Sequence, residues 1–225
     1  LHCNLLIGIS EYNKELIKEF WHLDDNQTRY VNNGIDIEHY YTKPHEVFTF
    51  INVSRQDENK NQSLILRAFA RLYWENPQVP MKLFLLGDGV THGILKNLSK
   101  ELKIDDLVVF TGYVSSAVEY LAIADVYVSS AHREGLPLSV LEAIAAKLPI
   151  IATDVGGIRD LVRENGILIA DDDEDGLYLA MKKLRDNDEL RIFKGNKSRE
   201  MVQNYSAESM TKEYCLIYDE FAKKR

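Results

Sequence analysis

DVYVSSAHREGLPLSVLEAIAAKLPIIAT, residues 125–153, decides the fold. DVYVSS (125–130) and PIIAT (149–153) are short apolar runs bounded by turn residues, the pattern of buried strands. Between them, apolar residues recur at helical spacing after Gly135 and Pro137. Glycine allows a tight turn and proline suits the first turn of a helix, so a helix is predicted over about 137–147. Strand, helix and strand at this spacing form a βαβ unit, whose strands run parallel.

The same alternation extends in both directions. Upstream come the strand VFTFINV (47–53), a helical stretch over 61–76, MKLFLLG (81–87), a helix near 91–102, DLVVFTG (106–112) and a short helix near 116–123. Downstream, a helix follows Gly157 and a last strand, GILIA, spans 166–170. The prediction is an α/β fold, a Rossmann-like parallel sheet with helices on both faces. Residues 174–222 show no strand and read as two or three helices, with 206–222 a terminal helix. Their Met and Tyr residues, at helical spacing, read as core-facing positions rather than a cofactor box.

The beginning of the chain stands apart. NLLIGIS reads as a strand, EYNKELIKEF as a helix and QTRYVNNG as another strand, followed by a polar linker, NNGIDIEHYYTKPHE (32–46). One such unit cannot bury both faces of its sheet. Residues 1–36 are therefore expected to be the tail end, unit and linker, of an N-terminal acceptor domain that this chain lacks. Residues 37–225 are expected to form one Rossmann-like domain. The first unit should pack loosely or against another copy.

Composition excludes several classes. Net charge is −8, the opposite of the basic excess of a broad nucleic-acid-binding face, and it also disfavours docking of this segment on an anionic membrane. No apolar run approaches the roughly 20 residues that span a bilayer. Hydrophobic residues make up 45% of the chain and charged residues 28%, enough for a core without disulfides or structural metal. Cys3 and Cys215 make no ligand cluster, so a cytoplasmic setting is expected, with any peripheral contact at the inner membrane face left to a longer protein.

Four polar residues fall beyond the C-terminal ends of expected strands, where ligand sites form in open α/β sheets. Arg55 and Lys60 follow FINVS, Glu134 follows DVYVSSAHR, and Glu142 lies in the next helix. The start of that helix offers free amides and a favourable dipole to a phosphate. Glu142 sits about 7 Å further along the axis, at 1.5 Å per residue. A carboxylate there would repel phosphate but accept hydrogen bonds from a ribose diol. Glu134, before the helix, would face a sugar at the other end. From spacing alone, surface acids explain both glutamates as well, and surface charge explains Arg55 and Lys60. Gly156 and Gly157 read as turn glycines. Asp171, Asp172 and Asp173 contain an Asp-x-Asp pattern but read as turn and cap acids. The histidines show no metal-ligand spacing, and His132, the one near the site, reads as a loop residue.

EGLPLSVLEA (134–143) resembles the signature of the retaining glycosyltransferases of family 4, the glycosyl transferases of group 1. NVSRQDENKNQSLILRAF, LFLLGDG, VVFTGYV, LAIADVYVSSAHREGLP and PIIATDVGGIRDLV follow in that family's order. IGIS and VNNGID resemble its crossover between domains. The chain departs from the family at Asn32 or Asn33, where Pro often precedes Asn-Gly. The resemblance implies the C-terminal, donor-binding half of a two-domain GT-B fold. Arg55 and Lys60 would hold the diphosphate of a nucleotide sugar, UDP- or GDP-linked. Glu142 would bind ribose and Glu134 the donor sugar, with Arg55, Lys60 and Glu134 acting in catalysis. Gly135, Leu136, Pro137 and Leu138 would give backbone contacts, Gly87 close approach, and Tyr113 and Val114 a wall for the base. The family transfers sugar with retention, without a metal or other cofactor, to an acceptor sugar or lipid-linked glycan met through the N-terminal domain. A sugar-nucleotide epimerase of similar build and a non-catalytic partner subunit are the alternatives.

Overall fold

The computed structural model describes residues 4–223. The first unit is β1 (Leu6–Gly8), α1 (Glu11–Trp21) and β2 (Thr28–Tyr30). Its two strands pair parallel in a small sheet of their own. The main body then runs β3 (Phe48–Val53), α2 (Gln62–Glu75), β4 (Met81–Leu86), α3 (His92–Glu101), β5 (Val108–Gly112), α4 (Val118–Leu121), β6 (Val126–Ser129), α5 (Leu138–Ala145), β7 (Ile150–Thr153), α6 (Ile158–Leu161) and β8 (Gly166–Ile169). Three helices close the chain: α7 (Glu174–Arg185), α8 (Asp188–Met201) and α9 (Ala207–Ala222).

The main sheet has six parallel strands in the order β5-β4-β3-β6-β7-β8. Counted from β3, this is the doubly wound order 3-2-1-4-5-6 of Rossmann folds, which places a topological switch between β3 and β6. Neighbouring side chains on each strand enter different cores, as the two-residue period of a strand requires. Phe50, Val126, Val128 and Ile151 join α2 and α7 on one face. Ile51, Tyr127, Ile150 and Ala152 join α5 and the Val202–Tyr205 turn on the other. Burial on both faces explains why these strands read as unbroken apolar runs rather than alternating ones.

Three local expectations needed correction. The stretch 32–46 contains no strand, as a linker would, yet it is fixed along its length. Asn33 Nδ2 donates to the Leu136 carbonyl (3.1 Å), Ile37 is buried, and the Lys43 amide donates to the Ala122 carbonyl (2.7 Å). Asn33, within the expected linker, thus ties that stretch to the loop before α5. Second, Pro137 precedes α5 as its N-cap rather than sitting inside the first turn. Third, α7 buries Tyr178 and Met181 as expected, but α9 buries only Ile217 and leaves Leu216 and Tyr218 exposed. α9 enters neither main core: it touches the Val202–Tyr205 turn, the 32–46 stretch at Gly34 and, through one ion pair, the first unit. Arg29 pairs with Glu220 (2.5 Å), and a methyl group at Gly34 would stand 2.6 Å from the Ser206 carbonyl oxygen.

Candidate functional site

The loops after β3 and β6 meet over the switch. The loop after β3 makes a single 3₁₀ turn, Glu58–Lys60, capped by Asp57, whose carboxylate accepts from the Lys60 amide (3.1 Å). Ser130 Oγ donates to the carbonyls of Lys60 (3.0 Å) and Asn61 (2.8 Å), and the His132 amide donates to the Asn59 carbonyl (2.8 Å). Asn59 Nδ2 returns a bond to the Arg133 carbonyl (3.1 Å). Stitched this way, the two loops bring Lys60 Nζ to 2.6 Å from Glu134 Oε1, with side chains only 17% and 12% exposed.

The turn after β7 holds Glu134 from the other side. Gly156 has φ +53°, and a methyl group there would stand 1.9 Å from the Glu134 carbonyl oxygen. At Gly157 it would stand 1.8 Å from the Gly135 carbonyl oxygen, and the Gly157 amide donates to Glu134 (3.2 Å). Both are turn glycines, and their turn serves as the seat of the 134–135 loop.

α5 starts beside this pair. Pro137 has no N–H to donate, so among the residues read as backbone donors it offers only shape and a carbonyl. That carbonyl accepts from Val140 (3.2 Å) and Leu141 (3.3 Å). The amides of Leu138 and Ser139, which begin the helix, have no intrahelical acceptor. Leu136 is buried and Leu138 is half exposed. Tyr127, fully buried beneath, fixes the start of the helix: its hydroxyl lies 2.9 Å from Ser139 Oγ and 3.2 Å from the Val53 carbonyl. Burial, aided by the charges of Glu134 and Glu142, pushes the Tyr127 phenol well above its usual range, so it stays neutral. Burial also raises Glu142, although a hydrogen bond from the Tyr40 hydroxyl pulls the other way.

The remaining candidates lie further out. Arg55 is 80% exposed and pairs with Asp57 (3.1 Å). Gly87, at φ +114°, admits no side chain: a methyl group would stand 2.1 Å from the Ser54 carbonyl oxygen. Its backbone groups are engaged within the protein, the amide with Gly112 (2.9 Å) and the carbonyl with Gln56 Nε2 (2.8 Å). Tyr113 is 82% exposed after β5, with Val114 packed on the core behind it. The three aspartates are spoken for. Asp171 meets His132 Nδ1 (2.8 Å), Asp172 accepts from Asn61 (3.2 Å), and Asp173 caps α7 through the Gly176 amide (2.8 Å). Among the described residues no cluster of His, Cys, Asp and Glu could hold a metal. Nor is any described helix long and apolar enough to cross a membrane.

Sequence reasoning missed the neighbours contributed from afar. The Tyr40 hydroxyl hydrogen-bonds Glu142, and Tyr12, Asn13 and Leu16 of α1 line an open cleft of about 470 Å³ with His132, Arg133, Glu134, Gly135, Val155 and Gly156. Ser10, an N-cap residue type directly before the helical stretch EYNKELIKEF, was the local sign of that helix start.

Comparison with known proteins gives the family and agrees with the fold. Residues 36–207 match the family described as glycosyl transferases group 1. The chain belongs to that family. It is 27% identical over 204 residues to the N-acetylgalactosamine-N,N'-diacetylbacillosaminyl-diphospho-undecaprenol 4-alpha-N-acetylgalactosaminyltransferase of Campylobacter jejuni, covering 87% of this chain and 54% of that protein. It is 32% identical over 171 residues to the N-acetyl-alpha-D-glucosaminyl L-malate synthase of Bacillus anthracis, covering 75% and 44%. The chain thus spans about half the length of the curated relatives it matches. In fold it is similar to Anabaena HepE in complex with UDP, with a TM-score of 0.88 at 19% identity over 96% of this chain and 64% of that one.

Proposed function

We propose that this chain is the donor-binding half of a retaining glycosyltransferase that takes a nucleoside-diphosphate sugar. The observation that carries the reading is the enclosed Lys60–Glu134 pair at the β3–β6 switch, next to the free amides that begin α5. Lys60 and those amides would stabilise the departing diphosphate, with no metal required. Arg55 would swing onto it from Asp57, since an exposed ion pair holds its partners by no more than about 1 kcal/mol. Glu142 would accept from the ribose hydroxyls and Glu134 from the sugar, and the base would lie towards Tyr113 and Val114. UDP in the complex with HepE and the lipid-diphosphate glycan in the name of the Campylobacter relative support a nucleotide-sugar donor and a glycan acceptor.

The acceptor hydroxyl would be presented by a further domain, which residues 1–36 would join, and would attack on the face the diphosphate leaves. The 225-residue chain alone is then expected to bind donor without efficient transfer. Calorimetric titration with UDP, GDP and ADP tests the reading. One of them should bind, and Lys60→Ala and Glu142→Ala should each weaken it. If none binds at millimolar concentration, the proposal fails for this chain.

A further inference from the structure

We infer that α1 reads the donor sugar: Tyr12 and Asn13 form the wall of the cleft opposite Glu134 and select the hexopyranosyl group. This rests on the reading of Glu134 as the sugar end of the site.

The first turn of α1 lies directly against the loops that carry Glu134. A methyl group at Gly135 would stand 3.1 Å from Asn13 Oδ1 and 3.4 Å from Ile9 Cδ1. At Gly156 it would stand 3.3 Å from Tyr12 Cε1, and at Gly157 3.2 Å from Ser10 Oγ. Yet α1 buries none of its own residues, and Tyr12 and Leu16 remain 43% and 44% exposed. The helix approaches the site without filling it. The space left, about 470 Å³, lies within the range of small-ligand clefts and is ample for one sugar ring.

The polar groups facing that space are oriented but unspent. Ser10 Oγ accepts from the Asn13 amide (3.1 Å) and donates to Asn13 Oδ1 (3.0 Å). These two bonds fix the orientation of the Asn13 amide group. Among the described residues, its Nδ2 makes no hydrogen bond, and neither does the Tyr12 hydroxyl. Glu134 is engaged through Oε1 alone, leaving Oε2 open. A pyranose needs this combination. Some of its hydroxyls donate, to a carboxylate, others accept, from an amide, and its C–H face packs on an aromatic ring. A fixed donor discriminates between hydroxyl configurations, because a sugar that misplaces its oxygen leaves the amide unpaired.

The test titrates the 225-residue chain with whichever of UDP, GDP and ADP binds, then with its glucose, galactose, mannose and N-acetylglucosamine conjugates. Asn13→Asp keeps the acceptor that Ser10 requires and removes the donor. Tyr12→Leu removes the ring, and Leu16→Trp fills the cleft. Circular dichroism checks that each variant is folded. Affinity for the bare nucleotide should stay within about twofold, while the preferred conjugate loses about three- to tenfold in each variant, the worth of one hydrogen bond or comparable contact. The ranking of sugars should flatten. If the nucleotide binds and the ranking is unchanged in all three variants, the role of α1 is overturned while the donor-site reading stands. Equal losses for nucleotide and conjugates would overturn it too, since α1 would then act on the site as a whole. If no nucleotide binds, the underlying reading fails first.

Discussion

Strands β3 and β6 carry a charge pair at each end, and the two pairs are built differently. At the C-terminal end Lys60 meets Glu134 at 2.6 Å. At the N-terminal end His45 Nε2 meets Asp125 Oδ2 at 2.8 Å, with side chains 23% and 18% exposed. The lower pair is closed. Asp125 Oδ2 also accepts from the Thr49 amide (2.8 Å), His45 Nδ1 is taken up by the Lys43 carbonyl (3.1 Å), and Arg191 stands 3.8 Å from Asp125 Oδ1. The upper pair is open. Lys60 and Glu134 keep unspent hydrogen-bonding capacity; the loop that carries Lys60 also carries the exposed Arg55, and α5 begins four residues after Glu134. Equal burial therefore does not mean equal role. On the proposed reading, the mark of the ligand site is polar capacity that the protein holds in place without using.

Substitutions should separate the two ends. The largest effect belongs above: Lys60→Ala should slow sugar transfer by the complete enzyme about 10²–10³-fold, the usual cost of one fixed charge-stabilising donor. Initial-rate measurements read this directly. Below, Asp125→Ala should cost about 1–3 kcal/mol of stability by stranding the buried Thr49 amide, measured by urea unfolding. Nucleotide affinity should survive that change.

Two smaller effects depend on pH. On the proposed reading Glu142 would accept from ribose as a carboxylate, and burial raises its pKa. As pH falls, the charge is lost earlier than in an ordinary glutamate, and nucleotide affinity should fall with it. Glu142→Gln should bind about tenfold more weakly near pH 8, the loss of a hydrogen bond to a charged group, and lack that component of the pH profile. At the lower end the sign is opposite. Burial pulls His45 down, but the bond to Asp125 and the Lys43 carbonyl raise it above 6.5 overall. A histidine with a raised folded pKa contributes stability fully below its unfolded value and loses it as pH rises through the folded one. Thermal midpoints should decline over that window, and His45→Gln should remove the decline.

The sequence makes legible what is local. β3 to β8 show as apolar runs because both faces of the sheet are covered, and Pro137 and Gly135 announce the start of α5. Asp173 as a helix cap is likewise written in its neighbours. Contacts across the chain are not. Nothing near Glu142 signals Tyr40, and nothing near Glu134 signals Asn13. Lys60 and Glu134 could be placed together only through family resemblance, because their spacing alone fits surface charge equally well. α9 shows the converse error: its periodicity is that of a core helix, yet of its residues only Ile217 is buried.

A crystal structure of the chain with its preferred nucleoside diphosphate tests the central claim most directly. The diphosphate is expected at the start of α5 within hydrogen-bond reach of Lys60 Nζ, the ribose hydroxyls on Glu142, and Arg55 turned from Asp57 towards the phosphates. A nucleotide bound elsewhere, with Lys60 and Glu134 still closed on each other, would contradict it.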